Sequence, residues 1–169
     1  VSAVHGHNIV KHAGEMAWYG GPTLMEHLER VPVSSDLAAR PFRLPVQLVN
    51  RPNLDFRGFS GTIVSGVVRT GDAIRVLPSG RQTRVNRILV GSQDAAAAQA
   101  GESVTLTIVD ELDISRGDVL AAADAPPAVA DQFEATIVWM HEKPMLQGRS
   151  YQMKLGTQTA TATPAPLKY

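Results

Sequence analysis

Between Arg57 and Asp72 the chain reads R-G-F-S-G-T-I-V-S-G-V-V-R-T-G-D, with glycines at 58, 61, 66 and 71. The intervals hold small and β-branched residues, Thr62-Ile63-Val64 and Val67-Val68, and Thr70-Gly71-Asp72 supplies a turn. A strand punctuated in this way needs positive φ, a bulge or close backbone approach at its glycines. The run therefore predicts a tightly packed β domain and carries no chemistry of its own.

The surrounding pattern agrees. Leu44–Val49 has apolar residues at 44, 46 and 48, and Ala73–Leu77 and Gln82–Val90 flank Pro78-Ser79-Gly80 as a hairpin. Ser103–Val109 alternates, and Ile114–Asp118 turns the chain into a short strand, Val119–Ala121. Ala95–Ala98 reads as a helical turn confined to a loop by Gly91 and Gly101. Five or six short strands at this spacing predict a small antiparallel β-barrel over residues 42–121.

The flanks differ. Residues 1–31 begin irregularly, and Gly21-Pro22-Thr23 then opens a short helix with Leu24, Leu28 and Val31 on one face and Pro32 at its end. Residues 32–41 and 122–130 are proline-bounded or proline-containing, poor in large side chains, and read as linkers. Within 131–169, Gln132–Met140 and Tyr151–Leu155 are predicted strands and Thr157–Thr163 a third. So few strands do not easily close a core alone. The chain reads as an internal piece of a longer protein, cut at both ends.

Of the 169 residues, 44% are hydrophobic and 19% charged, which permits a packed core and argues against wholesale disorder. Sixteen basic residues balance sixteen acidic ones, so no global charge draws the chain to nucleic acid or an anionic membrane. No apolar run approaches the roughly 20 residues of a membrane helix. The absence of cysteine excludes disulfides and thiolate metal sites and fits a reducing, cytoplasmic setting.

Candidate chemistry is sparse. Neither a G-x-x-x-x-G-K-[ST] phosphate loop nor a G-x-S-x-G elbow occurs. His5, His7 and His12 cluster, but their spacing matches no helical ligand pair, and His27 and His141 are isolated. Asp110, Glu111 and Asp113 fall in a predicted turn, where acidic residues shape backbone. Arg81, Arg84 and Arg87 recur at a spacing of three, which on a regular strand alternates faces and breaks up a basic stripe. Trp18 with the Leu24/Leu28 face is either core or interface with a neighbouring domain.

Read together, Arg57–Gly66, Thr70-Gly71-Asp72, Gly101-Glu102-Ser103-Val104 and Ile114–Leu120 resemble the second, β-barrel domain of elongation factor Tu and its GTPase superfamily. Longer motifs narrow the resemblance: Trp18–Leu24, Asp110–Asp118, Ala130–Ala135, Val138-Trp139-Met140, Tyr151 and Lys154–Thr157 are similar to the GTPase subunit of bacterial sulfate adenylyltransferase. Nodulation-sulfation proteins and forms fused to an adenylylsulfate kinase share this region. The resemblance implies a mainly β fold: the tail of a GTPase domain with its final helix (1–31), a linker (32–41), the domain 2 barrel (42–121), a second linker (122–130) and the first strands of a domain 3 barrel (131–169).

For the parent subunit it implies GTP and Mg2+ as cofactors, a separate catalytic ATP-sulfurylase subunit as partner, and GTP hydrolysis coupled to adenylylsulfate formation from ATP and sulfate. It implies no nucleic-acid partner. Ser2-Ala3 matches the last guanine-recognition motif, where the alanine N–H meets the base, and His7 stands where the family pattern has Asp. With no phosphate loop and no N-K-x-D motif, these residues are expected to hold neither nucleotide nor metal and to be catalytically inactive alone. Trp18, Leu24 and Leu28 are the candidate interface. The alternative is a translation-factor-type RNA-binding barrel.

Overall fold

The computed structural model describes residues 1–31 and 36–165, and they are mainly β. The chain divides into two compact units, Val1–Asp36 and Leu37–Tyr169. The first holds a 3-10 turn, Gly14–Met16, and helix α1, Leu24–Arg30. The second begins with a 3-10 turn, Leu37–Ala39. Its strands are β1 (Arg43–Pro45), β2 (Leu48–Asn50), β3 (Gly58–Thr62), β4 (Val67–Arg69), β5 (Ala73–Leu77), β6 (Gln82–Val90), β7 (Gln93–Ala95), β8 (Ala97–Gln99), β9 (Ser103–Ile108), β10 (Val119–Ala122), β11 (Tyr151–Leu155) and β12 (Gln158–Ala162).

An antiparallel sheet runs in the order β1-β10-β5-β6-β9-β3-β2, with β7 added to β6. Backbone bonds from Arg43 N to Ser65 O (2.9 Å), Val64 N to Arg43 O (2.9 Å) and Gln47 N to Ser60 O (2.8 Å) return β1 to the β3 segment, so the sheet curls round on itself. Inward positions alternate with exposed ones along the strands, as a barrel requires. Phe42, Leu44, Val46, Phe59, Ile63, Ile74, Val76, Val85, Ile88, Leu106 and Leu120 fill the interior. β4 and β8 form a separate two-stranded ladder that contributes Val68 and Ala98 to the same core.

The glycine-punctuated run is two strands with a bend between them. Gly61 and Gly66 explain its composition. A Cβ on Gly61 would stand 2.3 Å from the Pro45 carbonyl oxygen. Gly66 has φ +78°, and its Cβ would meet Phe42 N and Cα at 2.4 Å. Both mark places where β1 and its lead-in cross the run too closely for any side chain.

Several local expectations are corrected. Leu44–Val49 is interrupted, because Val46 N and O bond to the Ser115–Asp118 turn instead of continuing one ladder (Val46 N to Asp118 O 2.8 Å, Gly117 N to Val46 O 3.0 Å). Ala95–Ala98 forms parts of β7 and β8, since edge pairing with β6 and β4 outweighs alanine's helical preference. Gln132–Met140 is not a strand, and its side chains are exposed with no ladder to join. The hairpin β11–β12 does form, around a two-residue loop with Gly156 at φ +59°, the first central position of a type II′ turn.

Residues 37–41, read as part of a linker, are bonded to the barrel: Gly66 N donates to Leu37 O (2.7 Å) and Ser65 Oγ to Pro41 O (2.7 Å). The rest of that linker, residues 32–35, lies outside the described residues, as does Pro32 as a helix stop. The hairpin tip also touches the barrel, where Thr157 Oγ1 donates to Val46 O at 2.8 Å.

Candidate interface and nucleotide-remnant residues

In the amino-terminal unit Ser2 is held by a backbone bond to His7 (Ser2 N to His7 O 3.0 Å), and its hydroxyl accepts the His5 N–H at 3.4 Å. Ala3 lies exposed in the intervening turn. His7 contributes backbone to this bridge, and its ring sits 3.9 Å from Glu15. Asn8, at φ +57°, is the buried keystone of the loop. Its Oδ1 accepts Ala13 N (2.9 Å), and its carbonyl accepts Leu24 N (2.9 Å). The Asn side chain tolerates the left-handed conformation and staples the irregular segment to the start of α1.

Helix α1 begins with a capping box that the sequence displays as Thr23-x-x-Glu26. Glu26 N donates to the Thr23 hydroxyl (3.3 Å), and Thr23 N donates to the Glu26 carboxylate (2.8 Å). The helix buries no residue. Trp18 is 79% exposed, Leu24 37% and Leu28 55%, so the core reading of these three fails within this unit. Tyr19 folds back over Gly21, where an added Cβ would collide with its hydroxyl, and meets Trp18 edge to face.

The Glu26 carboxyl titrates below its ordinary 4.5. The Thr23 backbone N–H is the main cause, opposed by partial loss of hydration and aided by the Thr23 hydroxyl, His12 and Arg30. A depressed carboxylate stabilises the folded helix above its ordinary pKa and loses that contribution as pH falls through the lowered value. The protection of the α1 amides, taken relative to the intrinsic exchange rate at each pH, should therefore fall on acidification below about pH 4. The variant E26Q should lose this pH dependence; an unchanged acid response would sink the assignment.

In the barrel unit the three carboxylates separate. Asp110 accepts the Thr83 hydroxyl at 2.8 Å, Asp113 faces Arg57 at 3.6 Å, and Glu111 is exposed. Among the described residues no group of three or more His, Asp or Glu is placed to hold a metal ion. The arginine series is not as a regular strand would have it. A bulge between Val85 and Arg87 shifts the register, so Arg84 and Arg87 both point outward. Arg84 donates to Gly71 O (3.0 Å) and keeps its charge, whereas Arg87 forms a bidentate pair with Asp94, both bonds 2.9 Å, which offsets one charge of the series. That hydrogen bonding raises the Arg87 pKa and lowers that of Asp94.

Known proteins resemble the chain in sequence and in fold. The family description Elongation factor Tu domain 2 matches residues 59–121. The bifunctional enzyme NodQ of Rhizobium sp. (strain N33) is 51% identical over 169 residues, covering 100% of this chain and 26% of that protein. Sulfate adenylyltransferase subunit 1 of Laribacter hongkongensis (strain HLHK9) is 51% identical over 156 residues, 92% of this chain and 32% of that protein. Over nearly its whole length the chain is similar to sulfate adenylyltransferase subunit 1. A further relative, the bifunctional enzyme CysN/CysC of Xylella fastidiosa (strain Temecula1 / ATCC 700964), is 49% identical over 170 residues, 100% of this chain and 27% of that protein. The chain thus spans about a quarter to a third of the length of these relatives. The crystal structure of Sup35 complexed with GMPPNP shares the fold, with TM-score 0.52 and 23% identity over 75% of this chain and 31% of that one. Among the described residues no helix is long and apolar enough to cross a membrane.

Proposed function

We propose that this chain is the barrel-bearing, non-catalytic part of the GTPase subunit of a sulfate adenylyltransferase. The whole subunit would couple GTP hydrolysis to the formation of adenylylsulfate and pyrophosphate from ATP and sulfate, together with a separate catalytic subunit. Identity of 51% over 92% of the chain with a protein named sulfate adenylyltransferase subunit 1 is the observation that carries this reading. In this reading residues 42–121 act as the second domain, 131–169 open a third, and 1–31 belong to the GTPase domain. Trp18, Leu24 and Leu28 would meet neighbouring domains or the catalytic subunit, with fused kinase forms as a variant of the same architecture. The setting is the cytoplasm.

Ser2 and Ala3 supply at most one base contact, and the 169 residues hold no phosphate loop. GTP and Mg2+ binding therefore belongs to the complete subunit. Calorimetry should register no GTP binding by this chain, whereas the full-length subunit with its catalytic partner should make adenylylsulfate faster when GTP is present. Micromolar GTP affinity in the 169 residues, or GTP-independent synthesis by the complete enzyme, would count against the proposal. The translation-factor alternative predicts tRNA binding that weakens steeply with salt. The pairing of Arg87 with Asp94, which offsets one charge of the Arg81/Arg84/Arg87 series, argues against it.

A further inference from the structure

We infer that strand β1 orients the chain that leaves the barrel: Arg43 fixes the departing segment, and Val46, directly after β1, fixes its return. The Arg43 guanidinium reaches two carbonyls at once. Its Nη1 donates to Phe42 O at 2.6 Å, and its Nη2 donates to Ala125 O. One acceptor belongs to the chain entering the barrel and the other to the chain leaving it. Phe42 O also accepts Ala122 N at 3.1 Å, so entry and exit meet at a single carbonyl. β1 itself is held on both sides, by β10 and by the backbone of Val64 and Ser65.

Packing does little to hold the exit segment. Ala122, Ala123 and Ala125 bring only methyl groups, and with Pro41 and Phe42 they line an open groove of about 700 Å³. Hydrogen bonds therefore set its path. Burial lowers the Arg43 pKa, and Asp124, on the exit segment, opposes that loss of charge. A charged guanidinium bonds a carbonyl more strongly than a neutral donor does, and its planar fork is pre-organised for two acceptors. Pro126-Pro127 follow at once. They lack N–H groups, push Ala125 toward extended backbone and form a stiff spacer, so a direction set at Ala125 carries onward.

The chain then comes back to the same place. Thr157 Oγ1 donates to Val46 O at 2.8 Å, and a Cβ on Gly156 would stand 3.8 Å from the Pro45 side chain. Two separate attachments define a direction as well as a position. The lead-in, bonded through Leu37 and Pro41, runs straight into Arg43, so its displacement passes to the exit segment through one residue. In the function proposed above, on which this step rests, the lead-in follows the GTPase domain and the exit segment opens the third domain. Arg43 is then a positioning residue for the coupling of GTP hydrolysis to adenylylsulfate formation.

The chain has no cysteine, so Q93C and Q152C, both at exposed positions, place one spin label on the barrel and one on the β11–β12 hairpin. Double electron–electron resonance should give a narrow distance distribution. R43Q and T157V should each broaden it about twofold or more while far-UV circular dichroism stays unchanged. R43K should broaden it too, because one ammonium on a flexible stem does not reproduce the fork. In the complete subunit with its catalytic partner, R43Q should lower the adenylylsulfate made per GTP hydrolysed by about tenfold, the loss of one charge-assisted bond, and leave the GTP hydrolysis rate unchanged. General damage to the fold would lower both. An unchanged distribution in R43Q or in T157V, or a broadened one with an unaltered coupling ratio, would each overturn the proposal. Absence of GTP stimulation in the unsubstituted enzyme would strike the proposed function instead, and the distance distributions alone would then decide the two attachments.

Discussion

Replacing Gly66 by alanine is expected to destabilise the barrel by about 3 kcal/mol or more, from left-handed strain of roughly 1–2 kcal/mol and overpacking of similar or larger size. The residue sits at φ +78°, and its missing Cβ would lie 2.4 Å from the Phe42 backbone and 2.7 Å from the Arg40 carbonyl oxygen. None of these atoms ends a flexible side chain, so relief requires β1 and its lead-in to move away from the core. Gly71 provides the control. Its φ is +89°, but nothing lies within 4 Å of an added Cβ, so G71A should cost only the backbone strain, about 1–2 kcal/mol. Urea unfolding followed by far-UV circular dichroism reads the difference. Tryptophan fluorescence would not serve, because Trp18 and Trp139 both lie outside residues 42–121. Equal losses for the two variants would show that close approach at Gly66 is unimportant.

The variant F59A should cost about 3–5 kcal/mol, the usual range for emptying a buried aromatic site. Phe59 is fully buried on β3, paired with Val49 of β2 and Leu106 of β9. The Arg57 guanidinium carbon stands 5.5 Å from its ring centroid. Domains are commonly stable by about 5–15 kcal/mol, so this loss would leave the barrel near its unfolding threshold. Substitution by leucine keeps most of the volume and should cost much less, about 1–2 kcal/mol. If alanine and leucine proved equally damaging, the cavity argument would fail and the ring's contact with Arg57 would have to carry the effect.

The barrel was legible because its signals are local and repeated. Alternating apolar positions mark β5, β6 and β9, and Pro78-Ser79-Gly80 and Gly101 mark turns between them. What escaped the sequence depended on distant partners. Ala97–Gln99 becomes a strand because β4 offers a ladder to it, and nothing in four consecutive alanines announces that. Arg84 and Arg87 share a face because of a bulge between Val85 and Arg87, which the strand's own pattern does not reveal. Gln132–Met140 has strand-like composition yet finds no neighbouring strand, and composition alone cannot supply one. In the amino-terminal unit the exposure of Trp18, Leu24 and Leu28 turned on what packs against them, which no periodicity encodes. The Thr23/Glu26 capping box, by contrast, is written in the local spacing Thr23-x-x-Glu26.

The attachment of residues 37–41 bears on how this domain can be excised and reused. Chain trimmed to start at Phe42 would strip the Gly66 N–H of the Leu37 carbonyl and the Ser65 hydroxyl of the Pro41 carbonyl. A buried donor deprived of its acceptor costs about 1–3 kcal/mol, and Gly66 is buried. The smallest autonomous cassette for grafting or solution work therefore starts at Leu37, five residues ahead of the first core side chain, Phe42.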